Sequence, residues 1–444
     1  MKEIYKNYSI YSSMSGLGEN DLSKDKFSVS EKFCLFILAL NFILPLVWFS
    51  GVIYSYEVAM VLCLLFLRID IRKYANLLPL IVLLFLPVCF ERVFPSGSPS
   101  YDIRVSLAVF FKLSLFSFFL QSISIRCGNY NNAIWILRFI VLPVSVILAC
   151  SALIDRYTSS TFFVDWHTFW KTSGQINYAF SQGVDSIDID SARSRGFATR
   201  NTDIVSWSLL GLGTSYVLMK KCYLKAKVFV LFLLFFAFTA FSMPQRGALV
   251  SFGIVFIVLL LSNRTNIDRK WANIILVLSL FMIFVSSFFA YYYDMQSLGS
   301  NINAGDIEGR SALSRALNYG IVEDTRYEMM IAQLDDFSQN FRLLTIGAGW
   351  NFAAGVWSKP HNTYLAIIVG GGIISLIGIS YSVFRLIHRT SGSLFSSSMG
   401  IALVFGVILD MFDNGMMYSG LEYPAGLLAM SILVITLIYI IDRP

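Results

Sequence analysis

Residues 325–372 read TRYEMMIAQLDDFSQNFRLLTIGAGWNFAAGVWSKPHNTYLAIIVGGG, and the fold is decided in this stretch. It begins as a polar segment, passes a Gly347-Ala348-Gly349 turn and reaches Lys359-Pro360-His361-Asn362. It then continues without a break into an apolar run. Because an apolar run of about 20 residues is long enough to cross a bilayer as a helix, the sequence predicts a charged loop at the end of a membrane-spanning helix.

The composition of the whole chain agrees with this interpretation. Hydrophobic residues make up 56% of the chain and charged residues 14%, with a mean hydropathy of +0.66. Soluble proteins average about 25% charged residues. Only helices and closed barrels can cross lipid, and the apolar runs lack the alternation of a barrel strand. We therefore expect an all-α, polytopic helical membrane protein, and the polar first 30 residues predict no cleavable signal peptide.

Twelve apolar stretches predict about twelve transmembrane helices in a single domain covering 1–444. They lie at roughly 33–50, 53–67, 75–91, 105–124, 132–154, 204–219, 228–243, 247–262, 272–292, 362–384, 398–412 and 424–441.

The distribution of Lys and Arg predicts the orientation. Basic residues concentrate in the N-terminal tail, at the C-terminus and in alternate short loops, which identifies that side as the cytoplasm. Both termini are then inside. The opposite side holds two large loops, about 155–203 and 293–361, and loops of this length are where function concentrates.

Two arginines contradict this charge bias. Arg246 lies in a minimal outer turn between two spans, where it either reaches toward lipid headgroups or takes part in a site. Arg326 lies in the second outer loop, where a salt bridge with Glu323 or Asp324 is the simpler alternative. Arg195 and Arg200 belong to a basic cluster in the first outer loop, and such clusters are often only solvated. Guanidinium groups nevertheless suit phosphate oxygens, so these arginines together predict an anion site.

His361 is one of three histidines, and it follows Pro360 at the expected first turn of a helix. The helix dipole there favours a neutral imidazole, which is the form that a general base requires. A structural role is the alternative. Paired metal-ligating motifs, Walker patterns and dinucleotide-binding patterns are absent, so we expect no metal, no cofactor and no nucleic-acid partner.

Four sequence elements together resemble the O-antigen ligase/O-antigen polymerase superfamily of bacterial envelope glycosyltransferases. They are Arg246-Gly247 opening a span, Arg326 in the next large loop, Gly347-x-Gly349, and His361-Asn362 followed by Gly372 eleven positions after the His. The resemblance covers roughly 195–380. Ser375 departs from the family pattern, which usually has Gly, Thr or Tyr there, and Arg200-Asn201 stands where many members have Pro-Asn.

The resemblance implies metal-independent, inverting transfer of a glycan from undecaprenyl pyrophosphate to a sugar hydroxyl. The implied location is the periplasmic face of the bacterial inner membrane. Arg246 and Arg326 would stabilise the pyrophosphate leaving group, and His361 would take the acceptor proton. Arg195, Arg200 and Asn362 are expected to bind substrate, and membrane lipids and a chain-length regulator protein are expected partners.

Polymerase and ligase differ only in the acceptor, which is another lipid-linked repeat unit or lipid A-core. The long, aromatic-rich loop 155–203 favours a polymerase, because aromatic rings stack on sugars. A polysaccharide transporter or flippase is the alternative from another class. It predicts ionisable residues at mid-membrane depth and interrupted helices, for which Arg138 and Asp410 are the sequence candidates.

Overall fold

The computed structural model is helical, as the composition predicts. Its helices are α1 (Val29–Ile43), α2 (Ser55–Leu67), α3 (Leu78–Val93), α4 (Ile103–Arg126), α5 (Tyr130–Ile136), α6 (Leu142–Tyr157), α7 (Asn201–Lys220), α8 (Ala226–Ser242), α9 (Gly247–Ser262), α10 (Phe341–Ile346), α11 (Thr363–Ser391), α12 (Ser398–Asp413) and α13 (Gly426–Ile441). The structure describes residues 26–44, 47–48, 53–67, 74–75, 77–93, 103–158, 162–163, 165–166, 196–198, 201–243, 247–262, 339–350, 362–392, 394–413 and 426–442, with single positions at 281, 285, 331 and 335.

The predicted apolar stretches coincide with these helices. Each overlaps one, except the ninth (272–292), which falls almost wholly outside the described residues. In the described part of the chain, three helical stretches are both long and apolar enough to cross a membrane: Ser106–Arg126, Tyr130–Tyr157 and Thr363–Arg389. A helical membrane protein is thus consistent with the fold.

The first connection differs from its prediction. The first span was expected to reach residue 50, but α1 ends at Ile43 and is followed by a two-residue antiparallel ladder, Val47–Trp48 with Ile53–Tyr54. Pro45 follows the helix closely, and a proline disfavours helical backbone in the residue before it. The short hairpin then returns the chain directly into α2.

Helix α7 forms the centre of the bundle. Every residue from 203 to 218 is buried, so this helix has no lipid-facing side among those positions. It packs against α6, α8, α12 and α13. Two glycines let neighbours approach closely, since Gly211 faces the Phe236 ring of α8 and Gly213 faces Leu403 of α12.

Polar contacts join the first helices at one end of the bundle. Arg126, the last residue of α4, donates to both carboxylate oxygens of Glu31 in the first turn of α1, at 2.8 and 3.0 Å. Asn132 in α5 accepts from the backbone N–H of Phe27 and donates to the carbonyl of Arg126. The start of α1, the end of α4 and the start of α5 therefore meet.

The ends of α7 and α13 lie at the same end of the bundle. Lys220 pairs with Asp442 at 2.6 Å, and the Lys221 ammonium lies 5.9 Å from the centroid of the Tyr130 ring, at the start of α5. The Lys/Arg bias assigns all of these helix ends to one side of the membrane. The contacts thus agree with the predicted alternation for these helices, while the side they face stays a prediction.

An ion pair is buried between α2 and α4. The Lys112 ammonium lies 3.0 Å from Glu57, and both side chains are less than a tenth exposed. Charged residues inside apolar helices are costly unless they are paired. This pair was not anticipated from the sequence, where each residue stands alone in its own apolar stretch.

Candidate functional site

Most of the predicted site residues lie outside the described residues. This applies to His361, Arg246, Arg326, Arg195 and Arg200, so the roles expected of them stay predictions. The structure does describe the backbone that follows several of them. Gly247 begins α9 directly after Arg246, Asn201 begins α7 directly after Arg200, and Asn362 follows His361.

Asn362 is the N-cap of α11. Its side-chain oxygen accepts hydrogen bonds from the backbone N–H groups of Tyr364 (2.9 Å) and Leu365 (3.1 Å), and the residue is buried. These bonds satisfy amides that a helix start otherwise leaves without a partner. The structure therefore gives Asn362 a capping role, which fixes where the helix begins beside His361. The expected contact with substrate stays a prediction.

Helix α11 is interrupted at Gly372. The residue has φ 70° and ψ 177°, a backbone conformation that residues other than glycine rarely adopt. The break lies nine residues after Thr363, or about 13 Å along the helix at 1.5 Å per residue. The sequence predicts a span at roughly 362–384, which this helix covers, but the break inside it was not anticipated.

The chain from Thr345 to Gly349 packs directly against this break. The Ala348 N–H donates to the Val369 carbonyl at 2.7 Å, and the Gly349 N–H donates to the Gly370 carbonyl at 3.0 Å. Gly347 and Gly349 have φ values of 86° and 99°, which form the predicted turn. Unsatisfied backbone groups cost several kcal/mol in lipid, so these two bonds offset the cost of interrupting the helix.

The approach is so close that only glycine fits on either side. A Cβ on Gly372 would overlap the carbonyl of Thr345 and the nitrogen of Ile346. A Cβ on Gly347 would overlap the Gly370 carbonyl and lie 2.6 Å from the Gly372 nitrogen. We call this contact, formed by 345–349 and 369–372, the glycine clasp. It joins glycines separated by about two dozen residues.

Trp350 fixes the clasp to the bundle. Its side chain is fully buried, its indole Nε1 donates to the Leu84 carbonyl of α3 at 2.9 Å, and its ring faces Gly371. Helix α10 also packs on α3 and α11. The sequence assigned 293–361 to a loop outside the membrane. Its described part, 339–350, packs instead among the helices of the bundle, about a third of the way along α11. The hydrogen bonds to Val369 and Gly370 and the bond from the indole to Leu84 hold it there.

A second polar cluster lies near the start of α11. Ser206 of α7 donates to the Asp410 carboxylate of α12, and both residues are buried. The Tyr364 hydroxyl of α11 donates to the Ile408 carbonyl of α12 at 3.0 Å. Asp203, one turn before Ser206, is also buried. Two buried carboxylates thus lie in this part of the bundle: Asp203 near the start of α7, and Asp410 near the end of α12, the helix that contacts the start of α11.

Helix α12 packs on α9 as well as on α7. Gly406 of α12 contacts the Val255 side chain and lies near the Ser251 carbonyl of α9. The predicted alternation of the spans makes the two helices antiparallel, which would put Asp410, one turn beyond Gly406, beside the first turn of α9. That turn begins at Gly247, directly after Arg246. From the sequence, Asp410 was named only as a candidate membrane-embedded residue of a transporter and was given no part in the transferase site. A carboxylate within an apolar stretch was the available signal.

The end of the first outer loop is attached to α6. The Gly196 N–H donates to the Asp155 carboxylate at 2.9 Å, and the Phe197 N–H donates to the Ser151 hydroxyl at 3.1 Å. Gly196 has φ 55°, and a Cβ there would overlap Ser151. This attachment fixes the backbone immediately after Arg195.

An aromatic cluster covers this attachment. The Phe197 ring packs edge-on against those of Phe162, Phe163 and Trp166, with centroids 5.1–6.3 Å apart. Phe162 remains about half exposed, whereas Phe163 is buried. The cluster is therefore partly a small core for the loop and partly an accessible aromatic surface.

Metal ligation finds no support in the described part of the chain, where no three His, Cys, Asp or Glu residues lie close enough to hold an ion. A scan against protein-family models and a search of the curated proteins both found no match. The resemblance to the O-antigen ligase/polymerase superfamily therefore depends on the residues quoted above.

Proposed function

We propose that the protein is a glycosyltransferase that polymerises O-antigen or a related surface polysaccharide. The observation that carries the proposal is the glycine clasp. Gly347, Gly349 and Gly372 are the glycines of the sequence resemblance, and all three take part in the clasp: a Cβ on Gly347 or Gly372 would overlap backbone across it, and the Gly349 N–H donates to the Gly370 carbonyl. A geometry this demanding gives a physical reason for that glycine pattern. It also fixes the end of α11 that carries His361-Asn362.

The proposed reaction is a single displacement at the anomeric carbon. The oxygen of an acceptor sugar hydroxyl attacks that carbon, the bond from the carbon to the phosphate oxygen breaks, and undecaprenyl pyrophosphate leaves with the bonding electrons. His361 takes the hydroxyl proton. Arg246 and Arg326 stabilise the charge that develops on the pyrophosphate. Arg195 and Arg200 bind the donor glycan or its phosphate, and Asn362 orients the start of α11.

Asp410 takes a positioning role in this scheme. A buried carboxylate favours a nearby cation, since an isolated buried charge is costly. Its helix packs on α9, and Arg246 precedes the first residue of α9 in the sequence. We assign to Asp410 the task of orienting that guanidinium, with the Ser206 hydroxyl donating to the carboxylate.

The proposed setting is the bacterial inner membrane, crossed by about twelve helices with both termini in the cytoplasm. The large loops 155–203 and 293–361 then face the periplasm, where a chain-length regulator could dock. Cysteines introduced at Ser181 and Ser338 should react with membrane-impermeant thiol reagents in spheroplasts, whereas one at Thr265 should not. The opposite labelling pattern would put the proposed site on the wrong face.

A transporter or flippase is the second candidate, and the break at Gly372 favours it, because transporter sites use interrupted helices. In a transporter, however, the carbonyls freed by the break would have to remain open to a substrate or an ion. At this break the Val369 and Gly370 carbonyls are already bonded to the clasp. A ligase uses the same chemistry as the polymerase with lipid A-core as acceptor. An acceptor-exchange assay with both substrates distinguishes the two.

The decisive experiment is a transfer assay with purified protein and lipid-linked repeat units. His361→Gln should abolish polymer formation, with a loss of about 10²–10⁴-fold for a missing general base. His388→Gln, at the opposite end of the same helix, is the matched control and should be fully active. Arg246→Lys and Arg326→Lys should retain little of the wild-type activity, since an ammonium cannot replace a bidentate guanidinium. Near-native polymerisation by His361→Gln would exclude this base.

A further inference from the structure

A ladder of cations and aromatic rings lies at the end of the bundle where α1 and α5 begin. Three rings follow one another, with centroids 6.1 Å apart for Phe27–Trp135 and 5.8 Å apart for Trp135–Phe139. The Lys32 ammonium lies 5.7 Å from the Trp135 centroid, and the Arg138 guanidinium lies 5.2 Å from that of Phe139.

Two of the cations in this ladder have no salt-bridge partner among the described residues. Arg126, 5.9 Å from the Phe27 ring, is already paired with Glu31. Within the part of the chain that the structure describes, Lys32 and Arg138 form no salt bridge. The ladder therefore carries two uncompensated positive charges beside a neutralised third.

The local backbone explains why Arg138 is on the surface. Residues Leu137–Val141 form a π-helical turn between α5 and α6, an irregularity that occurs frequently at functional sites. Both Arg138 and Phe139 are exposed there, although their neighbours Leu137 and Ile140 are buried. Side chains on a helix lean toward its N-terminus, so Arg138 extends toward the polar end of the bundle.

The surface around the two cations is apolar. Phe33 of α1 is 62% exposed and Phe139 is 50% exposed, on helices that run side by side from the same end. A soluble anion would contact only the charges. A phospholipid satisfies both parts of the surface, with its phosphate at Lys32 and Arg138 and its acyl chains along the exposed rings. Basic surfaces beside membrane helices bind anionic headgroups in this way.

We propose that Lys32 and Arg138, on the Trp135–Phe139 rings, form a binding site for the headgroup of an anionic phospholipid. This site is independent of the transfer reaction proposed above. It stabilises the packing of α1 on α5 and α6 by adding a ligand that bridges the two. Because the phosphate neutralises both charges, binding weakens as the salt concentration rises.

The test uses the full-length protein purified in a zwitterionic detergent, titrated with phosphatidylglycerol and, separately, with phosphatidylcholine. Bound lipid is counted by native mass spectrometry. A cation near an anionic lipid surface is worth about fivefold in affinity, so Lys32→Gln/Arg138→Gln should weaken phosphatidylglycerol binding by about 30-fold. Arg138→Gln alone should weaken it about fivefold, and this exposed position avoids a folding defect.

The matched control is Lys225→Gln/Lys227→Gln, which removes two exposed lysines at the start of α8, after the end of α7. It should leave the affinity unchanged. Equal losses in both double variants would overturn the proposal, since binding would then reflect only the overall charge. Equal wild-type affinities for phosphatidylglycerol and phosphatidylcholine would also overturn it. Displacement by millimolar inorganic phosphate would mean that the site takes a free anion and would overturn the lipid assignment.

Discussion

Substituting Gly372 by alanine tests the glycine clasp directly. The residue is held at φ 70°, and an added Cβ would overlap backbone atoms of Thr345 and Ile346. Neither side can relieve the overlap by rotating a side chain, because both surfaces are backbone. The segment 345–349 must therefore move away from α11.

The expected destabilisation has two parts. The extended, positive-φ conformation of Gly372 costs a residue with a Cβ about 1–3 kcal/mol. Moving the segment also breaks the bonds from Ala348 and Gly349 to α11, each worth about 0.5–1.5 kcal/mol. The sum is about 2–6 kcal/mol. Lost alignment of the first half of α11 should also reduce transfer, since Asn362 and the residue before it move with that half.

Two other glycines provide matched controls. Gly392, the C-cap of α11, has φ 74° and open space around it, so alanine there adds only strain of about 1–2 kcal/mol. Gly253 lies within α9 with nothing near its Cβ position, so alanine should be neutral or stabilising by about 0.5–1 kcal/mol. Thermal unfolding in detergent should rank Gly372→Ala below Gly392→Ala and Gly253→Ala highest. A Gly372→Ala protein as stable and active as wild type would refute the reasoning.

Three further substitutions address other contacts. Asp410→Asn keeps the shape but loses the charge, so we expect transfer to fall at least tenfold at normal protein level, and an unchanged rate would remove Asp410 from the site. Glu57→Gln leaves Lys112 buried without its counter-charge, which should cost about 3–5 kcal/mol. The double variant Glu57→Gln/Lys112→Met should recover most of that stability in a detergent melt, and equal melting temperatures for the single and double variants would contradict a buried pair. Trp350→Phe removes the bond to α3 and leaves a cavity where the larger indole was buried, so the melting temperature should fall by the equivalent of about 2–4 kcal/mol, and no change would mean that neither contact stabilises the fold.

The positions of the helices were predictable because they depend on local sequence. An apolar stretch of the right length specifies a helix whatever its neighbours are, and the described helices other than the short α10 lie where those stretches are. The turn at Gly347 was predictable for the same reason, since glycines there permit positive φ. The end of α1 was not, because the hairpin after it depends on pairing between 47–48 and 53–54.

The features of the site that arise from contacts between helices could not be predicted in the same way. Three consecutive glycines at 370–372 permit a break but do not require one, and the break depends on hydrogen bonds from a segment more than twenty residues away. The same applies to Asp410, whose burial is set by Ser206 and the neighbouring helices. The π-helical turn at Leu137–Val141 has no marker in the sequence other than Pro143, two residues beyond its end.

The burial of α7 on all sides has a consequence for how the chain enters its membrane. At 20 residues the helix is long enough to span a bilayer, but it is not among the described helices that are apolar enough to do so alone. It carries Asp203 and several hydroxyl side chains, which lipid cannot solvate. We therefore expect α7 to enter the bilayer together with a neighbouring helix such as α8, against which it packs. Variants that weaken the contact between α7 and α8 should leave a larger share of the chains with α7 outside the bilayer.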